Sequence, residues 1–124
     1  MGCSSMEQLL AVSAMPSSSM SDAARQLAAF SLFDWLVCAR AGADQELSRI
    51  MRDFVREEGG KPVATIVGER DKYPARAAAL ANGTISHALD YDDTHFAHIG
   101  LLSVGIYPAA LAAAEETNLS LIHI

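Results

Sequence analysis

Between positions 82 and 100 the chain concentrates the side chains that handle protons: His87, Asp90, Asp92, Asp93, Thr94, His95 and His98, with three of its four histidines. Carboxylates and imidazoles move protons near neutral pH once their surroundings shift their pKa values. Spacing adds a geometric expectation. On a helix, Asp90, Thr94 and His98 fall four apart on one face, and His87, Tyr91 and His95 share the adjacent one. A carboxylate beside a histidine orients it and holds its charged form, which makes an acid–base pair. Two other readings stay open on residue types alone. Asp-Asp-Thr is also a capping and turn sequence, because Asp and Thr side chains bind exposed backbone N–H groups. The same Asp and His residues could ligate a divalent cation, although their spacing defines no ligand set.

The elements that must position this segment read as helices. Ser21 is an N-cap, Asp22 complements the positive helix end, and Gly42 supplies a stop. Between them Ala24, Leu27, Ala28, Leu32, Trp35, Leu36 and Ala39 recur at three- and four-residue spacing. Phe30, Phe33 and Val37 widen the apolar face, so this helix is expected to be buried on most sides. A second helix has Asp44 as its cap, the stripe Leu47, Ile50, Met51, Phe54 and Val55, and a stop at Gly59-Gly60. Its other face, Glu46, Arg49, Arg52, Asp53, Arg56 and Glu57, reads as solvated.

Residues 63–67 form a short β-prone run between Pro62 and Gly68, and 69–72 a polar loop. Pro74 opens an alanine-rich helix through 75–81, whose small side chains let neighbouring helices approach closely. A last helix covers about 103–116, with Pro108 starting or kinking it. No internal repeat is present. The expected fold class is all-α, with at most one short extended segment.

Bulk composition narrows the partners. With 124 residues, 51% hydrophobic and 19% charged, the chain has the balance of one small globular domain. A net charge of −6 without a Lys/Arg cluster argues against a nucleic-acid partner, and no apolar run is long enough to cross a bilayer. Cys3 and Cys38 lie far apart, and reduced thiols in a cytoplasm fit better than a disulfide. The N-myristoylation pattern wants Ser or Thr where Met6 stands. A secretory signal is not supported either: the start is not basic, and the apolar part covers only 9–12. Residues 1–20 read as a flexible Ser/Met-rich tail ahead of a domain at 21–118.

The run Ala79-Leu80-Ala81-Asn82-Gly83-Thr84-Ile85-Ser86-His87-Ala88-Leu89-Asp90-Tyr91-Asp92-Asp93-Thr94-His95 resembles the signature segment of the MmgE/PrpD family. That segment is an Asn-Gly followed by His-x-Leu/Phe-Asp-Phe/Tyr-Asp-Asp-Thr. Pro108-Ala109-Ala110-Leu111-Ala112 with Glu115 is similar to the family's next helix. Phe33-Asp34-Trp35-Leu36-Val37-Cys38-Ala39 with Ala41-Gly42 resembles its first helix, and Gly68 falls in its short extended segment. The likeness is colinear over about 21–116, and the Asp-Tyr-Asp-Asp-Thr block is its specific part.

The resemblance implies the N-terminal part of the family's helical domain, and a metal-independent, cofactor-free lyase or isomerase of small di- or tricarboxylates. Family members include 2-methylcitrate dehydratase, cis-aconitate decarboxylase and iminodisuccinate epimerase; a hydro-lyase like the first is expected, in the cytoplasm and as a homodimer when complete. In the decarboxylase the first aspartate of the block, the threonine after its last aspartate and a histidine in the following loop line the site. Asp90 and Thr94 correspond to the first two. The family loop usually carries His-Pro-Ser where this chain has Leu101-Leu102-Ser103, so either His98 takes the histidine's place or that contact is absent. The implied catalytic set is Asp90, Thr94 and His98, supported by His87, Asp93 and His95, with no metal.

Elimination beside a carboxylate needs a base at carbon, a proton donor opposite, and hydrogen bonds or cations for the developing enediolate. The nearby bases Arg70, Lys72 and Arg76 lie outside the dense segment. Family enzymes are several times longer and draw further His and Lys residues from beyond this stretch, so the chain is expected to be an N-terminal fragment, inactive alone. Leu119-Ser120-Leu121-Ile122-His123-Ile124 equals the translation of CTG TCT CTT ATA CAC ATC, the end sequence of a transposase sequencing adaptor. Residues 119–124 are therefore expected to be a non-native tail. Two alternatives compete with the lyase. One is a non-catalytic helical interaction module with the dense segment as a capped turn. The other is a magnesium-dependent all-helical isoprenoid synthase, whose Asp-Asp-x-x-Asp loses its last ligand here to Phe96.

Overall fold

The computed structural model describes residues 19–97 and 99–119, together with Ala11 and Met15. The expectations for most of the N-terminal tail, for His98 and for residues 120–124 lie outside the described residues. Among the described residues four helices carry the fold: α1 (Asp22–Gly42), α2 (Glu46–Glu58), α3 (Ala75–His87) and α4 (Ser103–Glu116). Among them run two antiparallel two-residue pairs. β1 (Ala64–Thr65) sets Ala64 opposite Tyr73 of β2 (Lys72–Tyr73), and β3 (Thr94–His95) sets Thr94 opposite Leu101 of β4 (Gly100–Leu101). The chain is helical as expected, but among the described residues its extended structure comprises two hairpins rather than one segment. None of the described helices is long and apolar enough to cross a membrane.

α3 is the central helix, packed against α1, α2 and α4. Its buried residues are Ala75, Ala77, Ala78, Ala81, Asn82, Ile85 and Ser86, which join Val55, Ala64, Ile66, Tyr73 and Ala112 in the core. Small side chains set how near the neighbours come. A Cβ on Gly42 of α1 would sit 2.1 Å from the Ile85 carbonyl oxygen, and one on Gly83 would sit 3.0 Å from that of Val104 in α4. The Asn-Gly of the signature thus has two structural tasks. Gly83 lets α4 close in, while Asn82 clamps the β1 segment, accepting from Val67 N at 2.8 Å and donating to Thr65 O at 2.8 Å. Both bonds satisfy backbone groups that would otherwise be orphaned beside the core.

Several local expectations are corrected. Ser21 does cap α1, accepting from Ala24 N at 3.2 Å. Gly42, however, ends α1 next to an Ala43 cap in ordinary right-handed geometry, so it is needed for close approach rather than for a left-handed turn. Gln45, not Asp44, is the N-cap of α2, because the Asp44 carboxylate pairs instead with Arg40 at 3.2 Å. Only Trp35, Cys38, Ala39 and Gly42 of α1 are buried, and Leu27, Phe30, Phe33, Leu36 and Val37 stay exposed. On α2, Val55 goes inward while Leu47, Ile50 and Phe54 remain open.

Arg52, on the face read as solvated, is largely buried: it pairs with Glu69 at 3.1 Å and donates to Ala43 O at 2.7 Å. Glu69 also meets Arg56 at 2.7 Å and accepts from the Tyr73 hydroxyl at 3.0 Å. The polar loop is therefore drawn inward by two guanidinium groups. Burial pushes the Tyr73 phenol up, and Arg56 opposes that.

Candidate active site

His87 is the last residue of α3, and beyond it the helix stops. Ala88 and Leu89 turn, and Asp90 takes a left-handed φ of 55° with its N–H on the His87 carbonyl at 3.1 Å. Thr94 and His95 then enter β3. Helical alignment of Asp90 with Thr94 and His98, and of His87 with Tyr91 and His95, is thereby overturned. Asp tolerates the left-handed region and bonds its own neighbourhood, so this run breaks a helix rather than extends it.

The turn replaces that alignment with a different pairing. Asp92, with its side chain fully buried, lies against His87, whose Nδ1 is 2.9 and 3.2 Å from the two carboxylate oxygens. An ionised carboxylate only accepts, so Nδ1 carries the hydrogen and Nε2 is the ring's remaining polar atom. The bond to Asp92 raises the imidazole above its ordinary pKa of 6.5; burial opposes the shift, and the charges of Asp92 and of Asp90, 3.9 Å away, reinforce it.

Asp93 accepts from Ser103 N at 3.2 Å, tying the segment to the first turn of α4, and the Ser103 and Ser31 hydroxyls meet at 3.3 Å to bring in α1. Asp92 and Asp93 anchor the loop at α3 and α4, while Asp90, Thr94 and His95 stand exposed. Of the expected site residues, then, the structure joins His87 to Asp92 with Asp90 beside them. It sets Asp93 on α4, puts Thr94 and His95 on a hairpin, and leaves His98 outside the described residues.

His87 also lines an open groove of about 490 Å³ between α3 and α4, closed at one side by Leu47. Its walls are apolar apart from His87 and Thr84. His87, Asp90 and Asp92 bring one nitrogen and two carboxylates within 4.8 Å of one another, a spacing that suits a divalent cation. Of the two ring nitrogens, Nδ1 faces both carboxylates and is already hydrogen-bonded to Asp92.

Nearby groups are committed elsewhere. Lys72 bonds Glu115 and Thr65, which ties β1 and β2 to α4 and removes one of the cations expected near the segment. Burial pushes the Cys38 thiol up, with Asp34, Asp92 and Asp93 adding to it, so this sulfur is a poor nucleophile. The partnership of His87 with Asp92 was missed by spacing rules because five residues fit neither helical neighbour distance. The available signal was a histidine closing an alanine-rich helix, followed at once by aspartates that favour turns.

No curated protein matches the chain. The family model described as the MmgE/PrpD N-terminal domain matches residues 10–122, a span that takes in all four helices, the His87–Asp92 pair and the whole Asp90-to-Thr94 block. On that match, the chain belongs to the MmgE/PrpD family.

Proposed function

We propose that the chain supplies the Asp90, Thr94 and His98 side of a metal-independent lyase for small di- or tricarboxylates, with a 2-methylcitrate dehydratase-like hydro-lyase as the specific reading. One observation carries it. The family's block forms a loop pinned at both flanks, Asp92 on His87 and Asp93 on the α4 backbone, so that Asp90 and Thr94 are offered outward from a braced frame. Bracing of this kind suits a site that must hold its geometry while charge develops on a substrate. Asp90 would act by charge or proton transfer, Thr94 by a hydrogen bond to a substrate carboxylate, and His95 from the hairpin, with His98 as the third member of the set. The cations that such a substrate requires would come from outside this domain. In the complete enzyme we place the protein in the cytoplasm as a homodimer.

The test expresses the longest reading frame containing the chain and follows ultraviolet absorbance of the new double bond from 2-methylcitrate. Turnover that Asp90→Asn lowers at least about a hundredfold with folding intact is the expected result. A folded, pure protein that turns over none of 2-methylcitrate, cis-aconitate or iminodisuccinate would refute the reading. The 124-residue chain alone should be silent in the same assay, and activity there would show that the site needs no further residues.

A further inference from the structure

The block's buried aspartate serves a histidine that still reaches solvent. We propose that His87 is the proton acceptor of this site and that Asp92 is the residue that positions it, an inference that rests on the lyase reading above. The Asp92 carboxylate has no exposed side-chain surface, and both of its oxygens lie within 3.2 Å of one imidazole nitrogen. Burying a carboxylate is strongly unfavourable unless it is paired, because the charge loses its hydration. A loop brace could be made with a neutral side chain, as Asn82 does for the β1 segment. A charge here does what a neutral group does not: it stabilises a positive charge on the ring.

The partner ring is 46% exposed and lines the groove between α3 and α4, so the ring is accessible while Nδ1 is held. Nδ1–H is fixed toward the carboxylate, and Nε2 is left with its lone pair available. This is the division of labour in which a buried carboxylate sets the tautomer and supports the imidazolium that forms. The raised basicity of His87 strengthens it as a base. Asp90, 81% exposed at its side chain, lacks that support.

The Nε2 lone pair takes the proton from the carbon next to a substrate carboxylate, and the C–H electron pair becomes the new double bond. The C–O bond on the adjacent carbon breaks, and its oxygen leaves as water with a proton from an acid on the opposite side of the substrate. The imidazolium then returns its proton to solvent.

Two measurements decide the matter. Long-range proton–nitrogen spectra of the labelled 124-residue chain read the His87 tautomer and titration directly. Neutral His87 should carry its hydrogen on Nδ1, and Asp92→Asn should move its titration to lower pH and scramble the tautomer. Hydrogen on Nε2, or a titration that Asp92→Asn leaves in place, overturns the proposal. In the protein from the longest reading frame, His87→Gln should lower kcat for 2-methylcitrate at least about a hundredfold. Asp92→Asn should lower kcat more than it changes KM and shift the acidic limb of the kcat/KM profile to lower pH, with partial recovery in Asp92→Glu. Wild-type kcat in a folded His87→Gln variant, or an Asp92→Asn variant that loses only thermal stability, overturns it. If the wild type turns over none of the probes, the lyase reading falls and this role falls with it, while the tautomer still reports whether the pair itself is formed.

Discussion

α1 and α3 divide the apolar residues of this domain in a way that runs against size. α3 has 13 residues, five of them Ala beside small Gly, Asn, Thr and Ser, and buries seven. α1 has 21, including Phe30, Phe33 and Trp35, and buries four. The difference lies in how closely backbones approach. Gly42 against the Ile85 carbonyl and Gly83 against the Val104 carbonyl bring α1 and α4 within touching distance of α3, so even methyl groups are covered. Leu27, Phe30 and Phe33 stand where no described element meets them, at 63–70% exposure. Apolar character makes burial favourable, but a facing surface has to exist.

The largest effect is expected at the close approach of α1 to α3. Gly42→Val should destabilise the fold by about 3 kcal/mol or more, because the obstacle is a backbone carbonyl that cannot swing aside. Phe30→Ser, a far larger loss of apolar surface, should change stability within about 0.5 kcal/mol. Urea denaturation of both variants ranks them, and the reverse order would show that α1 is covered after all.

Open apolar faces should also be adhesive. The chain is expected to be marginally stable and to self-associate, and Phe30→Glu with Phe33→Lys should shift sedimentation toward the monomer. A wild-type chain that is monodisperse, monomeric and cooperatively unfolding would mean that the exposed face of α1 costs nothing. A smaller effect belongs to the loop between the helices. Asp93→Ala removes the acceptor for Ser103 N and should cost about 1 kcal/mol, the usual loss for a first-turn capping partner.

The smallest effects are electrostatic and differ in sign between one link at the end of α3 and another that ties α4 to β1 and β2. His87 is raised above 6.5, so its pairing with Asp92 contributes fully below that pH and is lost as pH rises through the higher folded value. Glu115 is lowered from 4.5: burial pushes it up, but the bonds from Lys72 and Thr65 outweigh that. Its contribution is present above 4.5 and is lost as pH falls through the lowered value. Thermal midpoints across pH should therefore fall on both flanks. Asp92→Asn should flatten the alkaline flank alone, and Lys72→Met the acidic one; a variant that flattens the wrong flank would reverse the assignment.

Helix positions were legible because their signals are local. The Ser21 cap, the Gly59 stop at a φ of 66°, Pro74 ahead of Ala75, and the final helix from Ser103 to Glu116 all follow from capping chemistry and backbone preference. Composition alone also set the histidines and aspartates of positions 87–98 apart as candidates. Their arrangement was not legible. A spacing of four presumes a helix, and Asp90 in the left-handed region ends that premise in one residue. Which carboxylate lies beneath His87, why Gly42 must be glycine, why Arg52 turns inward to Glu69, and which of two apolar helices is covered all depend on distant contacts. Sequence by itself determined the approximate places of the helices and singled out groups able to move protons. Tertiary structure decided which of those groups meet, because pairing and burial depend on surfaces brought together from distant parts of the chain.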